Sequence, residues 1–251
     1  GLPTYETKDL GCALHKWDDY HFDKSIIITG NDIIEYMKVV LAALGQFHPQ
    51  AAERTTHLTH GQIKLAGGVK MSSRKGNILR ADDVLAAATE AQQQANDNSD
   101  HDVVLAAVKY AFLKQRIGGD IIYDPIESVS IHGDSGPYLQ YAHARARSII
   151  KKAINAETMQ LQGVQLDPSE RTLVAKLSQY TEAVDRAVAD LMPHHICAYL
   201  FELAQTFNRF YEQSRIIGDE REGVRLELVK VYADTLQRGL ELLKIPAPEQ
   251  M

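Results

Sequence analysis

Three consecutive isoleucines lie between Ser25 and Thr29, followed at once by Gly30-Asn31-Asp32 and then by apolar residues at helical spacing. No other feature of this 251-residue chain restricts its fold as much. A short β-branched run without polar alternation is what a strand buried on both faces of a parallel sheet requires. Asn31 or Asp32 then supplies an N-cap oxygen. Ile33, Met37, Val40 and Leu44 recur on one helical face, and Gly45 stands where a C-terminal stop belongs. Strand, turn and helix make half of a Rossmann-like unit. "HLTHGQIKL", His57 to Leu65, reads as a second strand running into a glycine-rich segment.

Beyond Asn77 the periodicity turns helical and stays so. Asp82 and Asp102 are the expected caps of the next two helices, separated by the polar loop "QQQANDNSD". "DPSE", Asp167 to Glu170, has the form of a capping box with proline at the first helical position. Leu173, Leu177, Val184, Val188 and Leu191 follow as one long amphipathic face. Pro193 opens a helix carrying Ile196, Leu200, Leu203 and Phe207, and a last helix is expected from about Val224 to Leu243. "YDPIESVS", Tyr123 to Ser130, breaks the helical pattern, which places a domain boundary there. The expected organisation is an α/β Rossmann-like domain over 1–125 and an all-α bundle over 126–251.

A 45% hydrophobic and 24% charged composition describes a soluble protein with a substantial core. A formal net charge of -6 gives no general affinity for nucleic acid, so any RNA contact must come from local basic patches. Two cysteines, Cys12 and Cys197, are too few for a disulfide framework; a reducing compartment and small buried thiols are the expectation. No apolar run approaches the roughly 18 residues of a membrane helix, and no signal peptide is visible, which points to the cytoplasm rather than a membrane. His194 and His195 lack a third ligand at metal spacing, so no protein metal site is expected.

"GGVKMSSRKGN", Gly67 to Asn77, packs cations, serines and glycines into eleven positions. The phosphate-cradling order G-x-x-x-x-G-K-[ST] is absent. On physical grounds Lys70, Arg74 and Lys75 are placed either to close on a triphosphate or to form a solvated turn.

The letters "KMSSRKGN" resemble the KMSKS signature of class I aminoacyl-tRNA synthetases. "GLPTYETKDLG", "HFDKSIIITGND", "SGPYLQYAHARARSI" and "LLKIPAPEQM" resemble arginyl-tRNA synthetase segments, in that family's order and over essentially the whole chain. The resemblance implies catalytic roles for Lys70, Ser72, Ser73, Arg74 and Lys75, with Met71, Lys75 and Gly76 at the ATP. Gly67, Gly68 and Gly76 would let the loop swing. Tyr5 and Asp9 fall on the family's tyrosine and aspartate that recognise the substrate guanidinium, a planar cation suited to a bidentate carboxylate. Where some members carry glutamine or histidine, this chain has Ile33, Ile34 and Tyr36, leaving Asn31 and Asp32 as polar candidates. Tyr138, Tyr141 and Arg145 share a helical face and fall on the anticodon-contacting helix, with His143, Arg147, Lys151 and Lys152 adding charge around them. Tyr211 and the terminal Met251 are further anticodon candidates.

A HIGH-type histidine motif, which acts with the KMSKS-type loop on ATP, is absent from these 251 residues. The resemblance therefore implies the C-terminal part of an arginine–tRNA ligase, a monomer using ATP with Mg²⁺, arginine and tRNA(Arg), and unable to form the adenylate alone. The rival reading is a non-catalytic tRNA-binding protein derived from a synthetase. Retention of Lys70 and Lys75 in register favours the enzyme.

Overall fold

The computed structural model describes residues 2–66, 80–96, 99–153 and 163–251. Packing divides the chain into two compact units, Gly1–Lys64 with Ile117–Ile122, and Leu65–Arg116 with Tyr123–Met251. The sequence pattern draws a single line near 125. Packing draws several, because strand pairing returns residues 117–122 to the first unit.

The first unit contains α1 (Tyr5–Tyr20), β1 (Ser25–Gly30), α2 (Ile34–Phe47), α3 (Pro49–Glu53) and β2 (Thr55–His60). β1 and β2 run parallel in register, with Ile27 opposite His57. The expectation of a strand buried on both faces fails. A pleated strand sends alternate side chains to opposite faces; Ser25, Ile27 and Thr29 lie against α1 and α2, whereas Ile26 and Ile28 are 41% and 62% exposed. Asn31 and Asp32 do not cap α2. They form a 3₁₀ turn with Ile33, and no side chain bonds the helix N-terminus. Gly45 is internal, and the stop comes at His48 because Pro49 disfavours helical geometry in the residue before it. His48 then accepts the Ala51 amide through Nδ1 (3.1 Å) and caps α3. Met37, Val40 and Leu44 are buried as their spacing requires.

The second expected strand is two. β3 (Ile63–Leu65) pairs with β4 (Ile121–Tyr123) rather than extending β2. Gly61 permits the break: a Cβ there would lie 2.0 Å from the Gly119 carbonyl oxygen.

The second unit is helical: α4 (Ala81–Asn96), α5 (His101–Leu113), α6 (Pro125–Ser128), α7 (Gly136–Lys152), α8 (Pro168–Leu177), α9 (Tyr180–Asp190), α10 (His194–Gln213) and α11 (Glu222–Leu242). The expected caps are each one or two residues off. Asp83 rather than Asp82 accepts the Arg80 amide (2.8 Å), and Asp100 rather than Asp102 caps α5, accepting from the Asp102 amide (2.8 Å). The capping box at Asp167 is present, with Pro168 opening α8. The single long face expected over Leu173–Leu191 is broken at Ser178–Gln179 into α8 and α9, and Val188 is exposed.

α7 is central. Ser135 caps it by accepting the Tyr138 amide (3.1 Å), and Gly136 lets α7 approach α5, since a Cβ there would lie 2.2 Å from the Ala106 oxygen. Leu139, Ala142 and Ala146 join a core with Leu173, Leu200, Leu203, Phe207, Tyr232 and Leu236. Phe207 and Tyr232 stack at 3.8 Å, 6° from parallel. Cys197 is buried, and burial pushes its thiol up to about 12. Cys12 is exposed, contrary to its expected burial.

Candidate functional site

Two places bear on function, one in each unit. In the first, α1, β1 and α2 enclose a cavity of about 300 Å³, with Asp9, Cys12, Lys16, Ser25, Thr29 and Ile33 in its lining. It lies beside the strand–turn–helix junction because the inward face of β1 ends in small polar groups there. The Tyr36 hydroxyl donates to Asp9 Oδ2 at 2.5 Å. That hydrogen bond, followed by burial, pushes the Tyr36 phenol up to about 12. Asp9 is thereby held as an oriented acceptor at the cavity, the group a planar cation requires. Tyr5 is 79% exposed and outside the lining, with the Lys8 ammonium 5.5 Å from its ring centroid. Asn31, Asp32 and Ile34 are likewise outside it. Tyr36 enters the sequence argument only as a departure from family pattern, yet it is the residue that orients Asp9. Nothing local in the sequence marks a pairing across 27 positions.

The basic-loop candidates Gly67, Gly68, Lys70, Met71, Ser72, Ser73, Arg74, Lys75 and Gly76 lie outside the described residues.

In the second unit, α7 and α10 bring four candidates together. Tyr138 is half-buried, edge-to-face with Phe201 (5.6 Å between ring centroids), and its oxygen accepts the Asn208 side-chain amide at 2.9 Å. Burial raises its phenol pKa. The Arg145 guanidinium carbon sits 4.3 Å from the centroid of the Tyr211 ring, a cation–π contact. Tyr141, on the same face of α7, is exposed, as is Arg209 on α10. Aromatic rings interleaved with guanidinium groups suit unstacked bases and phosphates.

The opposite side of α7 does something else. His143 is fully buried; its Nδ1 donates to the Pro248 carbonyl (2.8 Å) while Nε2 accepts from Arg147 Nε (3.2 Å). Burial lowers the His143 pKa, favouring this neutral form. Gln140 donates to the Pro246 carbonyl, and Arg147 pairs with Asp234 and Glu249. His143 and Arg147, expected to add positive charge for RNA, are instead committed to the C-terminal tail. Lys151 and Lys152 remain exposed. The tail ends with Met251 at a separate cleft of about 220 Å³ beside Gln92 and Val103, not with the tyrosines. Asn208 and Arg209 are the residues the sequence reading missed here; "FNRFYEQSR" carries both, Asn208 three residues before Tyr211 on the same helical face.

Residues 1–130 match the profile of the class I (R) tRNA synthetase catalytic domain, and residues 139–251 match the DALR anticodon binding domain. The chain belongs to the class I arginyl-tRNA synthetase family. All of this synthetase chain aligns with an arginine–tRNA ligase of Limosilactobacillus reuteri at 33% identity, covering 46% of that protein. It also aligns with one of Flavobacterium psychrophilum at 30%, covering 44%. The solved Thermus thermophilus arginyl-tRNA synthetase matches all of the chain with a TM-score of 0.84 and 29% identity, over 50% of its own length. The synthetase chain thus spans about half the length of the curated relatives it matches. Among the described residues no helix is long and apolar enough to cross a membrane.

Proposed function

We propose that the chain works as part of an arginine–tRNA ligase, taking the anticodon on the α7–α10 face and the arginine guanidinium at Asp9, in the cytoplasm. The observation that carries this reading is the oriented carboxylate at the mouth of a cavity on a chain of this family. In the proposed reaction the arginine carboxylate oxygen attacks the α-phosphorus of ATP and pyrophosphate leaves. The terminal tRNA hydroxyl then attacks the arginyl carbonyl and AMP leaves. Negative charge grows on the departing pyrophosphate, where Lys70, Arg74 and Lys75 are proposed to act, Met71 and Gly76 flanking the nucleotide and Ser72 and Ser73 donating hydrogen bonds. One such electrostatic contact is typically worth about 10²–10³ in rate. The described residues hold no group of three His, Cys, Asp or Glu side chains fit for a metal; Mg²⁺ is proposed to arrive on the ATP phosphates. We place domain roles at 1–125 and 126–251. Tyr138, Tyr141, Arg145 and Tyr211 are the proposed anticodon contacts, Met251 a separate one, and Tyr5 closes on arginine from outside the cavity.

Arginine-dependent ATP–pyrophosphate exchange in the presence of tRNA(Arg) tests the reading. The chain alone should be inactive, and exchange should appear when the portion of a relative that the chain does not span is supplied. Folded but inactive reunited parts that still bind tRNA would favour the non-catalytic binding protein.

A further inference from the structure

Tyr138 presents a hydroxyl that both donates and accepts hydrogen bonds, and only one of those roles is filled. Its oxygen accepts from the Asn208 side-chain amide at 2.9 Å. Among the described residues no acceptor takes its proton. A tyrosine whose oxygen already accepts from a donor still has its O–H free to donate. We infer that Asn208 sets the hydrogen-bond polarity of Tyr138, making α7 and α10 together discriminate for an unpaired RNA base that presents a carbonyl oxygen or unprotonated ring nitrogen. This rests on the proposed use of the face for the anticodon.

The surroundings fit a base held beside phosphate. Arg145 lies over the Tyr211 ring, and both Arg145 and Arg209 act electrostatically on Tyr138. Phe201 packs edge-on against the Tyr138 ring, so the ring that carries the hydroxyl is held in place. An aromatic face stacks on any base with little preference. A single directed donor is what converts such a platform into a selective one, because a base offering a donor in the same place leaves both groups unpaired. Asn208 touches no base in this scheme; it is a positioning residue acting through Tyr138.

The test is fluorescence-anisotropy binding of the 251-residue chain to tRNA(Arg) transcripts, native and with each anticodon base replaced in turn, at one salt concentration. The readout is the ratio of dissociation constants between native and replaced RNA, in which a general loss of affinity cancels. Wild type should lose about tenfold or more at one anticodon position, a contact of the size of a directed base hydrogen bond. Asn208→Asp forces Tyr138 to donate inward, and Asn208→Leu frees the oxygen; both should bring that ratio below about threefold, as should Tyr138→Phe. Two variants of opposite chemistry, each checked by thermal melting, guard against a folding defect. A ratio preserved in both Asn208 variants but lost in Tyr138→Phe overturns the inference and leaves the anticodon reading standing. A wild-type ratio near one at every anticodon position, or a ratio indifferent to Tyr138, overturns both.

Discussion

Glu170 is completely buried and ionised. Burial by itself raises a carboxyl pKa. Here the Arg221 guanidinium, the Asp167 amide and the Arg225 guanidinium outweigh it and lower Glu170 from 4.5 to about 2. The folded-state value lies below the ordinary one, so its stabilisation is complete above about pH 4.5 and is lost as pH falls toward 2. Glu170→Gln should cost about 1–2 kcal/mol near neutral pH, since Arg221 keeps Asp167 and Arg225 keeps Asp167 and Asp219 as partners, and should flatten the acid limb of a urea-denaturation series against pH. An unchanged acid limb would remove Glu170 from that role. Tyr232 is the opposite case: its buried hydroxyl has no hydrogen-bond partner among the described residues. Tyr232→Phe keeps the stack on Phe207 and removes an unsatisfied group, so stability should be unchanged or rise by about 1 kcal/mol in thermal melting. A clear loss would mean the hydroxyl is satisfied.

At the scale of single elements, α7 separates the proposed recognition face from the face that supports the C-terminal tail. Arg145 and Arg147 are two residues apart and face opposite ways. Arg145→Ala should weaken tRNA(Arg) binding by about tenfold with little change in melting temperature. Arg147→Ala should lower stability by about 1–2 kcal/mol through the lost tail contacts, with a smaller loss of tRNA affinity than Arg145→Ala gives. Interchanged effects would reverse the two faces. Sequence periodicity reaches α7 without difficulty, because Ser135, Pro137 and the 3.6-residue apolar repeat are local signals. It does not separate the two arginines, since their charge is identical and only distant partners distinguish them, Tyr211 for Arg145 and Asp234 and Glu249 for Arg147. The displaced caps at Asp83 and Asp100 have the same cause: several aspartates are chemically able, and backbone geometry chooses among neighbours. Val188 marks another limit, where an apolar residue at core spacing is left exposed by the break between α8 and α9.

For the whole molecule, the parallel strand and the long helical region were legible because each declares itself within a few residues. The pairing of β3 with β4 was not; its partners are about 58 positions apart, and three-residue strands carry almost no periodicity. The cavity was half legible, through Asp9 on α1, while its orienting partner Tyr36 is fixed only by tertiary packing. The face on α7 and α10 emerged as four aromatic and basic residues that the fold gathers, plus Asn208 and Arg209, which only the assembled helices reveal. Nuclease footprinting of tRNA(Arg) with the 251-residue chain tests the central claim most directly. The anticodon loop should be protected by wild type and left open by Arg145→Glu, a charge reversal on an otherwise folded surface. Protection confined to other parts of the tRNA, or anticodon protection that Arg145→Glu leaves intact, would contradict it.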